Sequence, residues 1–345
     1  MNKSKFKFFI CIFAFILSFE SFSAEINGAG GTLALPIIKM WISKYHTVTS
    51  DKISYQGIGS ANGIKNITAQ AVDFAITDIG LTEAELLQDD LIQFPLLAGG
   101  ITPVINLPGI RANELNLSGK ILANIYLGKI TYWDDASIAQ INPSVKLEHI
   151  RIKPLYRKDG SGTSFTFTNY LSKVSDDWNY TLGIGSTLSW PLGEGKNGND
   201  GISKSVLETE GAIGYVEYFY ATSNKLTTVR LENADGKFIE PNYNNFVQAV
   251  QQAKWKRESF YDSLNQLPGP DSWPIIGISY VLIHTKNNVH YDSKQTLAFF
   301  DWIYSSGFSL AKDNNYISFT DTTLLKKIKS SWKMVEDVKG QGVYK

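Results

Sequence analysis

The sequence predicts an α/β fold with largely parallel sheets, and three observations carry that expectation. Short β-rich runs alternate with helical runs along the whole chain. No repeat, low-complexity tract or Pro/Ser-rich linker interrupts the alternation. Three turns built from glycine and a hydroxyl residue each open a helix, which places unpaired backbone N–H groups where a ligand can reach them.

Length and composition bound the answer. At 345 residues the chain exceeds the usual size of one compact core, so two domains, or one large one, are expected. Without a flexible linker, two domains must be joined by ordered strands, and "ITPVINLPG" (101–109) and "WPIIGISYVLIHT" (273–285) are the candidate crossings. Hydrophobic residues at 43% and aromatics at 13% place the chain among globular proteins. A formal net charge of zero argues against a nucleic-acid binder.

In chain order, the first element is a leader over residues 1–24. Lys3, Lys5 and Lys7 precede an apolar run from Phe8 to Phe19, and small residues follow at Ser21, Ser23 and Ala24. That pattern is a cleaved secretory signal, cut after Ser23 or Ala24, and it is short for a membrane span. Cys11, the sole cysteine, lies inside the run, so the exported chain has none and must be stable through its core alone. Removing the leader leaves a formal charge of about −2, so an anionic ligand must be attracted locally.

Next comes "NGAGGTLALPIIKMW", where Gly28, Gly30 and Gly31 precede Thr32 and a helix with Pro36 in its early turns, a place proline tolerates. A strand at "KISYQGI" leads to Gly57, Gly59 and then Ser60, read as the cap of a helix bearing Ile64 and Ile67. The strand "AVDFAIT" ends at Asp78, which either faces a ligand crevice at the strand's C-terminal end or caps the "LTEAELL" helix. Strands follow at "ITPVINLP" and "RIKPLY".

The third turn is "YRKDGSGTSFTFTNYL", residues 156–171. Arg157 offers a planar guanidinium fork that keeps its charge, Gly160 and Gly162 permit close approach, and Ser161 caps a helix carrying Phe165, Phe167 and Leu171. Read alone, the stretch fits an anion site and an ordinary capped helix with a surface arginine equally well. "GEGKNGND" (193–200) reads as a polar surface loop, then come strands at "GAIGYVEY" and "GISYVLIHT" and a helix at "TLAFFDWIYSS".

No nucleotide motif is present: the Gly-x-Gly spacings lack the third glycine and later acid of a dinucleotide site. The four histidines, His46, His149, His284 and His290, show no paired metal spacing, and the serines in the turns have no identifiable base. His284 in "VLIHT" reads as a satisfied core residue, and Trp133, Trp178 and Trp190 as core aromatics more than sugar platforms. No metal, cofactor or catalytic residue is therefore assigned. An acid beside an anion site has a specific use, since a carboxylate accepts a hydrogen bond only from a ligand that carries a proton.

These stretches closely resemble, in order, the periplasmic phosphate-binding proteins of phosphate-specific ABC transporters. The likeness rests on "GAGGTLALP", "YQGIGSANGIKNI", "VDFAITD", "GKILANIYLGKITYWDD", "RKDGSGTSFTFTNYL", "GAIGYVEY" and "LAFFDWIYSSG", and runs from about Glu25 to the C-terminus. It implies a type II two-lobed fold, each lobe a mixed sheet flanked by helices and the two joined by crossing strands, with 25–106 and 280–345 as lobe I and 107–279 as lobe II. It implies phosphate contacts from Thr32, the Leu33 N–H, Ser60, Asp78, Arg157, Ser161, Gly162 and Thr163, with Asp159 orienting Arg157. It further implies a periplasmic monomer that binds inorganic phosphate and delivers it to membrane permease subunits. Asp78 would then reject sulfate, which has no proton at neutral pH, by as much as about 10⁴- to 10⁵-fold. The alternative is a phosphate-ester hydrolase or another oxyanion binder on the same fold.

The sequence departs from the family pattern at Leu33, where Phe is usual, at Ala34-Leu35-Pro36 in place of an immediate proline, at Ala61-Asn62 and at Thr77. These departures are expected to tune affinity and leave the ligand class intact.

Overall fold

The computed structural model describes residues 25–255, 258–286 and 293–344. The leader over residues 1–24, with Cys11 and both candidate cuts, lies outside the described residues, as does His290.

A ten-stranded mixed sheet runs through the molecule. Its principal strands are β1 (Glu25–Gly30), β2 (Lys52–Gly57), β3 (Phe74–Thr77), β4 (Leu91–Ile105), β5 (Lys153–Arg157), β6 (Glu194–Lys196), β7 (Ala212–Glu217) and β8 (Ile276–His284). Their spatial order is β2-β1-β3-β8-β4-β7-β5-β6. On one flank β1 pairs in parallel with β2 and β3, and on the other β5 pairs in parallel with β6 and β7. The centre is antiparallel, with β8 between β3 and β4, and β4 against β7. The expected parallel character thus holds on the flanks. It fails at the centre because the chain crosses the middle of the sheet twice, in opposite directions.

β4 is the structural axis. Leu91–Gly100 pair with β8, whereas Ile101–Ile105 pair with β7, so one unbroken strand serves both flanks and changes partner at Gly100/Ile101. All fifteen residues are buried, as a near-continuous apolar run predicts for a strand covered on both faces. Gln93 and Thr102 are the polar exceptions, and the Gln93 amide is spent on the Leu81 N–H and the Ser259 carbonyl. The sequence reading started this strand at Ile101, ten residues late, and placed Gly28 and Gly30 in a turn although Glu25–Gly30 forms β1.

Four helices matter to the site: α1 (Leu35–His46), α2 (Ser60–Thr68), α3 (Gly162–Val174) and α4 (Gly198–Glu208). α1 takes Pro36 in its first turn and buries Ile37, Ile38, Trp41 and Tyr45 on one face. Trp41, Trp273 and Trp332 are fully enclosed in the main core, where side chains of this size contribute roughly 1.5–3 kcal/mol each or more. His284 is a core residue as expected, its ring nitrogen 2.7 Å from the Ile67 carbonyl. Trp133 and Trp178 are fully buried, and Trp190 packs against the same core.

One expectation holds only in part. Residues 193–200 carry β6 and the start of α4 instead of a loop; Gly193, Glu194, Asn197 and Asp200 are exposed, as a polar surface segment requires, whereas Asn199 is completely buried. Among the described residues no helix is long and apolar enough to cross a membrane.

Candidate anion-binding site

Each site segment follows the C-terminal end of a parallel strand: Thr32 after β1, Ser60 after β2, Asp78 after β3, Arg157 to Thr163 at and after β5, and Asn199 after β6. In open α/β sheets this is the edge along which ligand crevices form. Two oppositely placed flanks then bring their strand ends to one point.

The contact between flanks is backbone-close. A side chain on Gly162 would put its Cβ 2.4 Å from Ser60 Oγ and 2.6 Å from Asp78 Oδ2, so only glycine fits. The Ala61 N–H donates to the Gly160 carbonyl at 3.0 Å, linking the start of α2 to the loop before α3. Gly59, at φ 91°, is the residue before α2, and its open Cβ position lies 3.0 Å from Asp159 Oδ2.

Arg157 is 1% exposed. Its Nε donates to Asp159 Oδ1 at 2.7 Å and its Nη2 to Asp159 Oδ2, a bidentate pair that fixes the guanidinium plane. Burial opposes ionisation of Asp159, but the guanidinium overcomes it and holds the carboxyl below its ordinary range. Arg157 Nη1 is buried with no hydrogen-bond partner among the described residues. A buried guanidinium nitrogen left over from its salt bridge calls for an acceptor.

Ser161 caps α3, its Oγ accepting from the Ser164 N–H at 3.1 Å, as the sequence predicts. The N–H groups of Gly162 and Thr163 lie in the first turn of α3 and have no acceptor within the helix. Thr163 is 1% exposed.

Ser60 does not cap α2: that position belongs to Gly59, and Ser60 is the first helical residue. Its hydroxyl accepts from the Asp78 N–H at 3.1 Å and lies 3.4 Å from Asp78 Oδ2. The choice left open for Asp78 is resolved as well. Thr82 caps the helix Glu83–Gln88 with a complete capping box, while Asp78 turns inward, 4% exposed. Burial pushes its carboxyl up to about 6, against the Ser279 hydroxyl, the Arg157 charge and the Ser60 hydroxyl, all of which favour the ionised form.

Thr32 is held from the opposite flank. Asn199 Nδ2 donates to its Oγ1 at 2.9 Å, and the Tyr220 hydroxyl donates to its carbonyl at 2.7 Å. Leu33 buries its side chain against Gly277 of β8, and the Tyr316 hydroxyl is shared between the Leu33 carbonyl (3.0 Å) and Glu217 Oε2 (2.9 Å). Glu217 is fully enclosed, and burial drives its acid well above the usual carboxyl range.

Sequence reasoning missed four contributors. Ser279 donates to Asp78 Oδ1 at 2.6 Å, and its signal was a serine in the mostly apolar β8. Glu217 repeats the pattern of Asp78, an acid ending an apolar strand. Asn199 lay in the misread loop, and Tyr316 had no local signal at all.

The site therefore gathers one buried arginine, the buried hydroxyls of Thr32, Ser60, Ser161 and Thr163, a helix start and the raised proton affinity of Asp78, an arrangement suited to a small oxyanion that carries a hydrogen. A model described as a PBP superfamily domain matches residues 20–306. The phosphate-binding protein PstS of Haemophilus influenzae is 41% identical over 310 residues, 90% of this chain and 92% of that protein. The chain belongs to the PstS family of phosphate-binding proteins. A second PstS, from Xylella fastidiosa, is 39% identical over 90% of this chain and 85% of its own length. The fold is the two-lobed one of periplasmic binding proteins. A crystal structure of a Clostridium perfringens protein, described as a putative phosphate ABC transporter substrate-binding protein with bound phosphate, matches it with a TM-score of 0.64 at 19% identity, over 86% of this chain and all of that one. In this PstS-family chain the family's departures at Leu33 and Ala61 sit in tight packing: Leu33 against Gly277, and Ala61 against Gly160, where an added Cβ would lie 2.5 Å from the Ala61 methyl.

Proposed function

We propose that this protein binds inorganic phosphate between its lobes and delivers it to the membrane permease of an ABC transporter. The observation that carries the reading is Arg157, buried, oriented by Asp159, and left with one nitrogen unpartnered among the described residues, on the segment that leads into the helix start at Ser161, Gly162 and Thr163. The resemblance to proteins named for phosphate binding supports the same ligand.

In this reading the oxygens of phosphate are held by the Arg157 fork, the hydroxyls of Thr32, Ser60, Ser161 and Thr163, and the N–H groups of Leu33, Gly162 and Thr163. Charge-assisted bonds of this kind are worth about 1.5–3 kcal/mol each in a water-poor cleft. Asp78 accepts the bond from the ligand's own hydrogen. Sulfate has no such hydrogen, and its oxygen would face an ionised carboxylate with nothing between them. Ser279 already serves Asp78, which keeps the acceptor oriented.

The lobes divide as 25–106 with 280–345 and 107–279, the strands β4 and β8 forming the connection. The protein acts as a monomer in the periplasm after removal of its leader, takes no metal or cofactor, and engages no nucleic acid. Its role is binding and not catalysis. Titration of the purified protein with phosphate and with sulfate tests the assignment: phosphate should bind at least about 10³-fold more tightly. Comparable affinities would remove Asp78 from its role. A generic phosphate ester should go unhydrolysed with and without divalent metal.

A further inference from the structure

We propose that Asn199 is the positioning residue that makes Thr32 a pure hydrogen-bond donor and ties its closed geometry to the opposite lobe. The inference rests on the phosphate reading and adds a residue that does not itself touch the ligand.

Asn199 is fully buried, and its Oδ1 accepts from the Glu217 N–H at 3.0 Å. A backbone N–H can only donate, so the carbonyl end of the amide is fixed toward Glu217 and the NH₂ end must face Thr32. There Nδ2 donates to Thr32 Oγ1 at 2.9 Å, and the Asn199 backbone N–H approaches the same oxygen at 3.4 Å. Both lone pairs of the Thr32 hydroxyl are then engaged. Its proton has no acceptor among the described residues, so it is presented to whatever occupies the cleft. Thr32 reads an unprotonated oxygen just as Asp78 reads a protonated one.

Position makes this a latch as well. Asn199 lies in the first turn of α4, which packs on β5 and β7 of one flank, while Thr32 follows β1 on the other. The bond from Nδ2 to Oγ1 exists only when the strand ends of both flanks meet. Loss of this residue should therefore act mainly on the rate of release.

The test is a double-mutant cycle read by phosphate titration and stopped-flow release, using wild type, Asn199→Ala, Thr32→Val and the pair. Asn199→Ala should weaken phosphate binding about 10- to 100-fold, chiefly through faster release. Adding Asn199→Ala to Thr32→Val should cost no more than about 3-fold further, because the first residue acts through the second. Asn199→Asp is near-isosteric and keeps the acceptor for Glu217, but it replaces the donor with a second acceptor. It should bind phosphate more weakly than Asn199→Ala. A residue that only fills space predicts the reverse order, with aspartate the milder change. Losses that simply multiply in the double variant, an unchanged Asn199→Ala, or aspartate milder than alanine would each overturn the proposal. Failure of wild type to bind phosphate would instead overturn the reading on which it rests.

Discussion

Asp159 and Asp78 stand on opposite sides of the site, and physical chemistry treats the two carboxylates oppositely. Asp159 meets a guanidinium in bidentate geometry and is held ionised below its ordinary range. Asp78 is buried more deeply, faces three hydroxyl or charged groups that only partly offset the desolvation, and is pushed up to about 6. One acid is locked to supply orientation; the other keeps its affinity for a proton. On the proposed reading, charge attraction and proton recognition fall to separate lobes, and a ligand meets both only once the lobes close.

Breaking the charge side should have the largest effect. Arg157→Ala removes the buried cation and strands Asp159, so phosphate affinity should fall by about 10³-fold or more in calorimetric titration. A loss under tenfold would mean that the lobe carrying β5 does not supply the attraction.

Breaking the other side should damage selectivity more than affinity. In Asp78→Asn the amide can donate to a sulfate oxygen, so the preference for phosphate over sulfate should narrow by about 100-fold or more in a competition experiment. The same change should stabilise the ligand-free protein. Asp78 has a raised folded-state pKa, so its ionised form costs stability above about pH 6, and that cost fades as pH falls toward 3.8. Asn removes it, and the gain at neutral pH should be about 1–3 kcal/mol in denaturant unfolding.

A pH series sharpens the contrast without mutation. As pH drops through about 6, Asp78 takes a proton and can itself donate, so sulfate affinity should rise by about tenfold per pH unit at most. Asp159, held low by Arg157, should contribute nothing over that range. A flat sulfate profile between pH 7 and pH 5 would sink the proton-reading role.

The smallest effect belongs to Ser279→Ala. Its hydroxyl favours ionised Asp78, so its loss should push the Asp78 titration higher still and weaken phosphate binding about 3- to 10-fold at neutral pH. Binding that strengthens would show that Ser279 competes with the ligand.

The two faces also differ in how far the sequence disclosed them. Arg157, Asp159, Ser161, Gly162 and Thr163 lie within seven residues, and the capping pattern of Ser161 is a local rule, so that face was legible as a unit. Thr32, Ser60 and Asp78 are spread over 47 positions, and what unites them is a sheet order in which β1, β2 and β3 end together. Local pattern left Asp78 undecided between a cap and a ligand contact, and misassigned Ser60 as a cap because Gly59 takes the positive-φ position before it. Asn199 was hidden for a different reason. Polarity usually marks water, and here it marks buried partners on the far lobe, which no window of neighbouring residues contains. Ser279 lay in plain view as a serine in a mostly apolar strand, and only the register of β8 against β3 says that it meets Asp78.

The position of β8 between β3 and β4 bears on how the chain is assembled. The ribosome finishes β4 at Ile105 and does not complete β8 until His284, about 180 residues and roughly 10–40 s later. Throughout that interval the first flank has a slot where its central strand belongs, with two bare edges and no closed core. The first flank can reach its final strand order only after this late segment has been made.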